Sequence, residues 1–89
     1  MKNYRLEYSK NFIKSFDKLE KRTQKQIIEI LEQLSNNYNS CGNIIKLSGV
    51  VDIYRIRSGD YRILFNKLDN KFVILLIDVK HRKEIYRSL

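Results

Sequence analysis

The order of hydrophobic and polar residues along the chain predicts one strand followed by two helices. Residues 4–8 alternate between apolar and charged side chains, which is the period of a half-buried strand. Ser9 is a suitable N-cap, and apolar residues at helical spacing follow it over 12–19. A second amphipathic helix is predicted from Thr23, which has capping-box spacing to Gln26. The two helices form a hairpin that must cover the apolar face of another element.

Three β-strands are predicted in the second half of the chain, at 50–57, 61–66 and 72–79. Turn residues at Ser58-Gly59 and Asp69-Asn70 separate them. The third run is apolar at odd and even positions alike, which is typical of a central strand covered on both faces. A short C-terminal helix is predicted over 82–89. The order β-α-α-β-β-β predicts an α+β domain with a largely antiparallel sheet and with the helical hairpin on one face.

The hairpin between the first two of these strands predicts a cluster of arginines. A two-residue turn at Ser58-Gly59 would place Arg55 opposite Arg62, with Arg57 beside them. Directly opposed residues point to the same face, so the three arginines share one face of the sheet. The face under the helices would hold Tyr54, Ile56, Tyr61 and Ile63. Because opposed like charges are destabilising, an anion site explains the cluster best; the alternative is that the arginines extend into solvent and Asp60 neutralises one of them.

Charge is the strongest compositional feature of the chain. Its 89 residues suffice for a single domain, 1–89, and 18 Lys and Arg against 10 Asp and Glu give a net charge of +8 and a pI near 9.7. Such an excess creates a positive potential over a small surface, which favours nucleic acid, an acidic protein or an anionic membrane as a partner. The alternative is a basic but otherwise ordinary soluble protein.

The few cysteine and histidine residues exclude several kinds of site. One thiol, Cys41, cannot form an internal disulfide, and one His cannot supply a zinc site, so we expect neither a metal nor another cofactor. The first 12 residues have no signal-peptide core, and the longest apolar run, 72–77, is too short to span a bilayer. We therefore expect a cytoplasmic protein without a membrane partner.

The C-terminal segment carries further candidate chemistry in Lys80, His81, Arg82, Lys83 and Tyr86. Cleavage of RNA at its own 2′-hydroxyl needs a base for the 2′ proton, cations that stabilise charge on phosphorus, and an acid for the leaving oxygen. These residue types can supply all three without a metal ion. The alternatives are that the lone His81 is incidental and that Tyr86 is a packing residue.

Three stretches of the chain resemble the RelE/ParE superfamily of type II toxins. They are Lys46-Leu47-Ser48-Gly49, the stretch YRIRSGDYRILF at 54–65, and His81-Arg82-Lys83-Glu84-Ile85-Tyr86. The length, the basic charge and the order of elements are similar too, and the resemblance covers essentially the whole chain. It implies a small cytoplasmic toxin made with a cognate antitoxin. RelE-type members cleave messenger RNA in the ribosomal A site, whereas ParE-type members poison DNA gyrase.

The resemblance also implies site residues at two places in the chain. The phosphate-stabilising arginine of the family corresponds to Arg62. The C-terminal arginine and tyrosine of RelE-like active sites correspond to Arg82 and Tyr86. The spacing is one residue tighter than in some members, so Lys80 is the alternative equivalent of that arginine.

Some RelE toxins have lysines where this chain has Arg55 and Arg57. Arginine stays protonated, so these two side chains are expected to bind RNA phosphates rather than to act as a base. The expected RNA-binding residues are Lys46, Arg55, Arg57, Lys80 and Lys83. The base is then Tyr86, His81 or a group supplied by the ribosome.

The leading hypothesis is a ribosome-dependent endoribonuclease toxin, because converging arginines suit a phosphate. One alternative is a ParE-type DNA gyrase inhibitor. Another is a catalytically inactive member that acts by binding its antitoxin and, in that complex, operator DNA. The antitoxin is expected to be acidic or neutral with an apolar face, and to cover the basic face or displace the C-terminal helix that carries Tyr86.

Overall fold

The computed structural model, which describes residues 3–42, 44–47 and 52–84, has one sheet with two helices packed on one face. The described strands are β1 Arg5–Tyr8, β2 Ile44–Lys46, β3 Ile53–Ser58, β4 Tyr61–Leu68 and β5 Val73–His81. The helices are α1 Lys10–Asp17 and α2 Lys21–Asn36, with short 3-10 turns at Tyr38–Ser40 and Asp69–Lys71. The strand order is β1-β5-β4-β3-β2; β1 runs parallel to β5 and the other neighbours are antiparallel.

The predicted α+β class and largely antiparallel sheet are confirmed. The three predicted strands correspond to β3, β4 and β5, and β5 lies inside the sheet as its apolar pattern indicates. Strand β2 was not among the three predicted strands. Its three residues are too few to show the alternation of apolar and polar side chains that indicates a strand. Residues 82–84 of the predicted C-terminal helix are helical, and 85–89 lie outside the described residues. Within the described chain, no helix is long and apolar enough to cross a membrane.

The two helices begin in different ways. Ser9 is the N-cap of α1 as predicted: its Oγ accepts an amide of the first turn at 3.0 Å and its hydroxyl donates to a carbonyl of β5. Helix α2 begins at Lys21, so Thr23 lies inside it and the predicted capping box is wrong. The link between the helices is short, and the side chain of Gln24 already donates to the carbonyl of Phe16 in α1 at 2.9 Å. Contact with α1, rather than a cap, fixes this helix start.

The core lies between the helices and one face of the sheet. It consists of Phe12, Ile27, Leu31 and Leu34 from the helices and Ile56, Ile63, Phe65, Ile74, Leu76 and Val79 from the strands. Burial of each such side chain is worth roughly 1.5–3 kcal/mol. The residues predicted for the helix-covered face are all on this side: Tyr54, Ile56, Tyr61 and Ile63.

A β-bulge in β5 decides which of its last residues face the helices. The pairing with β4 skips Ile77, which is an extra residue without an opposite partner. Strict alternation from the buried Leu76 would turn Lys80 towards the helices. The bulge instead places Val79, which is 3% exposed, in the core and turns Lys80 to the opposite face.

The turn between β3 and β4 is Gly59-Asp60, one residue later than predicted. Arg57 therefore lies opposite Arg62, and the predicted pairing of Arg55 with Arg62 is wrong. Gly59 has a φ of 60°, and glycine at the first central position is typical of a type II′ hairpin turn. The observed pairing of β3 with β4 differs from the predicted pairing by two residues. A shift of two residues leaves each side chain on the same face of the sheet, so the prediction that the three arginines share one face is confirmed. We call this side, away from α1 and α2, the arginine face.

The substitution Gly59→Ala should destabilise the fold by roughly 1 kcal/mol, because an L side chain is disfavoured in the left-handed region. Space is not the reason, since a Cβ here would lie 3.8 Å from its nearest neighbour, Gln26 Oε1. Gly42→Ala is the matched control, because its φ is not positive and no atom lies within 4 Å of its Cβ position. Urea unfolding measures both variants. Equal midpoints would contradict the assigned turn.

Candidate active site

A row of like charges crosses three strands on the arginine face. Arg57 of β3 lies opposite Arg62 of β4, and Arg62 lies opposite Lys80 of β5. Neighbouring strands are about 4.8 Å apart, so the row spans about 10 Å. Arg55 is the diagonal neighbour of Arg62, a relation in which residues are about 7–8 Å apart. Four cationic residues therefore share one small area of the sheet.

Arg62 is the most firmly held member of this group. The residue is only 9% exposed, and its Nη1 donates hydrogen bonds to the carbonyl oxygens of Gly59 at 3.2 Å and Tyr61 at 3.3 Å. Both carbonyls belong to the hairpin between β3 and β4, so the turn itself orients the guanidinium. A guanidinium has further N–H donors in a planar arrangement that suits phosphate oxygens.

Three arginines and one aliphatic side chain line a cleft of about 240 Å³. The lining residues are Ile45, Arg55, Arg57 and Arg62. Ile45 comes from the edge strand β2, where it pairs with Arg55 and is 49% exposed. The cleft therefore combines cationic donors with one apolar wall.

The cleft has no carboxylate of its own within the described chain. Ion pairs among the described residues include Arg5–Glu7, Lys46–Asp52 and Lys67–Asp69. None of them involves the three arginines. Burying an uncompensated cation is costly, and an anion that enters the cleft would remove that cost. This arrangement has the chemistry of an anion-binding site.

Other predicted residues lie next to the cleft. Lys80 completes the row of cations. Arg82 lies two residues further, and its N–H donates to the carbonyl of Asp60 at 2.8 Å, so the chain after β5 starts beside the hairpin turn. Tyr86, one of the predicted candidates for the base, lies outside the described residues.

Three predicted residues are placed elsewhere. Lys46 pairs with Tyr54 on the helix-covered side, with its Nζ 5.9 Å from the centre of that ring. His81 pairs with Tyr61 on the same side, with ring centroids 5.3 Å apart. Lys83 is exposed in the segment after β5. The structure therefore does not bring Lys46 or His81 together with the arginines.

The tyrosines of the described chain also pack on the helix-covered side, and none of them lines the arginine cleft. Burial raises the pKa of Tyr38 to about 12 and is the main cause that raises the pKa of Tyr4. The Nζ of Lys67 lies 4.3 Å from the centre of the Tyr38 ring and 5.7 Å from that of Tyr4. These pKa shifts therefore belong to the core.

Sequence reasoning missed two features of the cleft. Ile45 is not distinguished by any pattern within β2, and only its register with β3 places it beside Arg55. The backbone anchoring of Arg62 was also missed. Gly59 was the residue in the sequence that could have indicated this anchoring. A glycine at the first position of the turn sets the turn conformation, and with it the carbonyls that the Arg62 guanidinium can reach.

Comparison with known proteins identifies the family of this chain. Residues 6–86 match the family model described as the ParE toxin of the type II toxin-antitoxin system parDE. The mRNA interferase toxin RelE of Escherichia coli strain K12 is 31% identical over a gapped alignment of 91 positions, which covers 93% of this chain and 90% of RelE. The chain belongs to the RelE/ParE superfamily of type II toxins.

Solved structures of RelE toxins have the same fold as this toxin. A chain in the RelB-RelE antitoxin-toxin complex of Methanococcus jannaschii is 31% identical, with a TM-score of 0.74 over 93% of this toxin and 98% of that chain. A chain in the intact E. coli RelBE toxin-antitoxin complex is 29% identical, with a TM-score of 0.72. The match covers 88% of this toxin and 95% of that chain. The arginine cleft of this toxin therefore lies on a RelE-type sheet.

The substitution Arg57→Gln should stabilise the toxin by roughly 0.5 kcal/mol at low salt, because it removes one of two directly opposed like charges. High salt screens this repulsion, so the gain should shrink there. Urea unfolding at both salt concentrations measures the effect. Arg5→Gln is the matched control, since Arg5 also lies on a strand but its Nη2 is 3.0 Å from the Glu7 carboxylate. A loss of stability in Arg57→Gln at low salt would argue against the opposed-charge geometry.

Proposed function

We propose that this toxin is an endoribonuclease that cleaves mRNA in the A site of the ribosome without a metal ion. The observation that carries the proposal is the arginine cleft, in which backbone carbonyls hold Arg62 between Arg57 and Lys80. Cations that converge in this way suit a phosphate whose charge increases during a reaction. The 31% identical mRNA interferase toxin RelE supports the same class of reaction.

The proposed reaction is attack of an RNA 2′-hydroxyl on the adjacent phosphorus. The 2′ oxygen gives its proton to a base and bonds to phosphorus, the bond to the 5′ oxygen breaks, and that oxygen takes a proton from an acid. The products are a 2′,3′-cyclic phosphate and a 5′-hydroxyl. Arg62 would stabilise the charge that develops on the phosphoryl oxygens, because a donor already fixed in place needs no reorganisation. Arg55 and Arg57 would hold the neighbouring phosphates.

Proton transfer requires groups other than the three arginines, which stay protonated. Tyr86 is the proposed base, and a ribosomal group is the alternative. Lys80 and Arg82 would add positive charge near the leaving oxygen. Neither Lys46 nor Lys83 lines the cleft, so their proposed role is contact with other phosphates of mRNA or ribosomal RNA.

The proposed macromolecular partners are the ribosome, mRNA and a cognate antitoxin in the cytoplasm. The net charge of +8 favours RNA contacts whose affinity falls with salt. The similar RelE chains were solved in complexes with RelB, which supports an antitoxin partner for this toxin. We propose that the antitoxin is acidic or neutral and neutralises the arginine face or displaces the segment that carries Tyr86. Operator DNA would be bound only by that complex.

Inhibition of DNA gyrase is the second candidate function. It is favoured by one observation, the match of residues 6–86 to the ParE toxin family model. Binding to gyrase does not by itself require a buried guanidinium held beside two other cations. A member that has lost catalysis and acts through its antitoxin complex would keep the fold without needing that geometry either.

Arg62→Ala should reduce mRNA cleavage by about 100-fold or more, the size expected when a fixed charge-stabilising donor is lost. Arg62→Lys keeps the charge but not the planar fork, so it should recover only part of the rate. Arg22→Ala is the charge-matched control, because Arg22 is exposed on α2. The assay adds each variant to a reconstituted translation reaction and maps mRNA 5′ ends by primer extension.

New 5′ ends within codons that require both ribosomes and Arg62 would support the nuclease. Intact mRNA together with loss of gyrase supercoiling activity would support the ParE-type alternative. Intact mRNA together with unaffected gyrase activity would support the alternative that this toxin has lost catalysis and acts through its antitoxin complex. Full cleavage by a folded Arg62→Ala variant would show that the arginine cleft is not the active site.

A further inference from the structure

The edge strand β2 presents apolar side chains on the arginine face. Ile45 pairs with Arg55 on this face and is 49% exposed. Leu47 follows it on the same face, because its N–H donates to the carbonyl of Ile53 at 2.9 Å and so continues the ladder with β3. Leu47 is 38% exposed. Edge strands commonly carry charged side chains that prevent association, so two exposed apolar side chains on β2 call for a binding partner.

Packing of the core does not account for Ile45. Its neighbour Ile44 packs against the core on the helix-covered side. Because side chains alternate along a strand, Ile45 lies on the opposite side, where it lines the cleft together with the three arginines. Its exposed surface is therefore part of the cleft and is open to whatever the cleft binds.

The four lining residues differ in depth. Arg62 is buried, Arg55 is half-buried, and Arg57 and Ile45 are exposed. Directly opposed residues such as Ile45 and Arg55 have Cβ atoms about 4.5–5.5 Å apart, and Arg62 is the diagonal neighbour of Arg55. The cleft therefore has a fixed cation at its floor and an apolar side chain at its rim. A nucleotide has a matching order of groups, because a sugar joins its anionic phosphate to a base with apolar faces.

We propose that Ile45 is a platform for the base of an unpaired RNA nucleotide, beside the phosphate that Arg62 holds. Bases of single-stranded RNA can turn outward, whereas those of a duplex are covered by their neighbours, so the substrate is single-stranded at the cleft. Ile45 has no hydrogen-bonding group and every base has an apolar face, so this contact accepts any base. The inference deepens the proposed function and rests on it, because a base platform acts only if RNA enters the cleft.

Two RNA probes of equal charge isolate the contact with the base. One is a single-stranded oligoribonucleotide that is 2′-O-methylated throughout and so cannot be cleaved; the other has the same phosphates and sugars but no bases. Fluorescence anisotropy gives the affinity of the free toxin for each probe, and the ratio of the two affinities measures base contacts. Binding of phosphates anywhere on the surface cancels in this ratio. The ratio should also persist at high salt, which weakens the binding of both probes.

Ile45→Thr should lower this ratio about fivefold, the change that corresponds to the exposed half of an isoleucine side chain. Threonine is β-branched, so it preserves the strand preference of the position. Ile45→Phe should raise the ratio, because a base stacks well on an aromatic ring. Ile13→Thr is the matched control, since Ile13 lies on α1 and is also 49% exposed, and it should leave the ratio unchanged. Circular dichroism checks that each variant is folded.

An unchanged ratio in Ile45→Thr would overturn the platform and favour a protein partner as the occupant of this surface. A ratio that falls in both the Thr and the Phe variant would also overturn it, because Ile45 would then only maintain the shape of the cleft. So would a wild-type toxin that binds neither probe at low salt. The expected ratios without mRNA cleavage in the translation reaction would support the platform and count against the nuclease. Arg62-dependent cleavage with ratios that ignore Ile45 would support the nuclease and overturn the platform.

Discussion

Arg57, Arg62 and Lys80 occupy directly opposed positions on three neighbouring strands, and the rest of the fold has to hold these like charges together. Each opposed pair costs roughly 0.2–1 kcal/mol. The adjacent row of the same strands is Ile56, Ile63 and Val79, and each of these residues is at most 3% exposed. Burial of each aliphatic side chain contributes roughly 1.5–3 kcal/mol, so the apolar row exceeds the repulsion beside it. The charged face can exist because the opposite face is a well-packed core.

Two local irregularities set the geometry of the charged row. The bulge at Ile77 turns Lys80 onto the arginine face and His81 onto the helix-covered face. The positive φ of Gly59 fixes the hairpin register and presents the Gly59 carbonyl to Arg62. If β5 had no bulge and the turn lay one residue earlier, the chain would have the same basic residues, but different residues would lie opposite one another on the arginine face. The cleft therefore depends on backbone details more than on the number of basic residues.

The fixed position of Arg62 fits its proposed role in stabilising charge that develops on a phosphate. A flexible surface arginine would have to be ordered when the phosphate reacts, whereas this guanidinium is already bonded to two carbonyls. In the described chain, the lining of the cleft places three arginines together without a carboxylate among them. A partner that brings carboxylates or phosphates to this face would relieve the repulsion. The proposed binding of RNA and the proposed neutralisation by an antitoxin would both supply negative charge to this face.

The sequence by itself determined the fold class, the helix-covered face and the sharing of one face by the three arginines, because these depend only on hydrophobic period and on the parity of pairing. The resemblance to RelE/ParE toxins also led to the prediction of Arg62 as the phosphate-stabilising residue, a role that stays a prediction. The sequence did not determine that Arg57 rather than Arg55 opposes Arg62, or that Lys80 and not His81 joins them. Those outcomes follow from the turn conformation and from one extra residue in β5. A bulge shifts side chains between faces without changing the apolar pattern, so only the tertiary structure decides it.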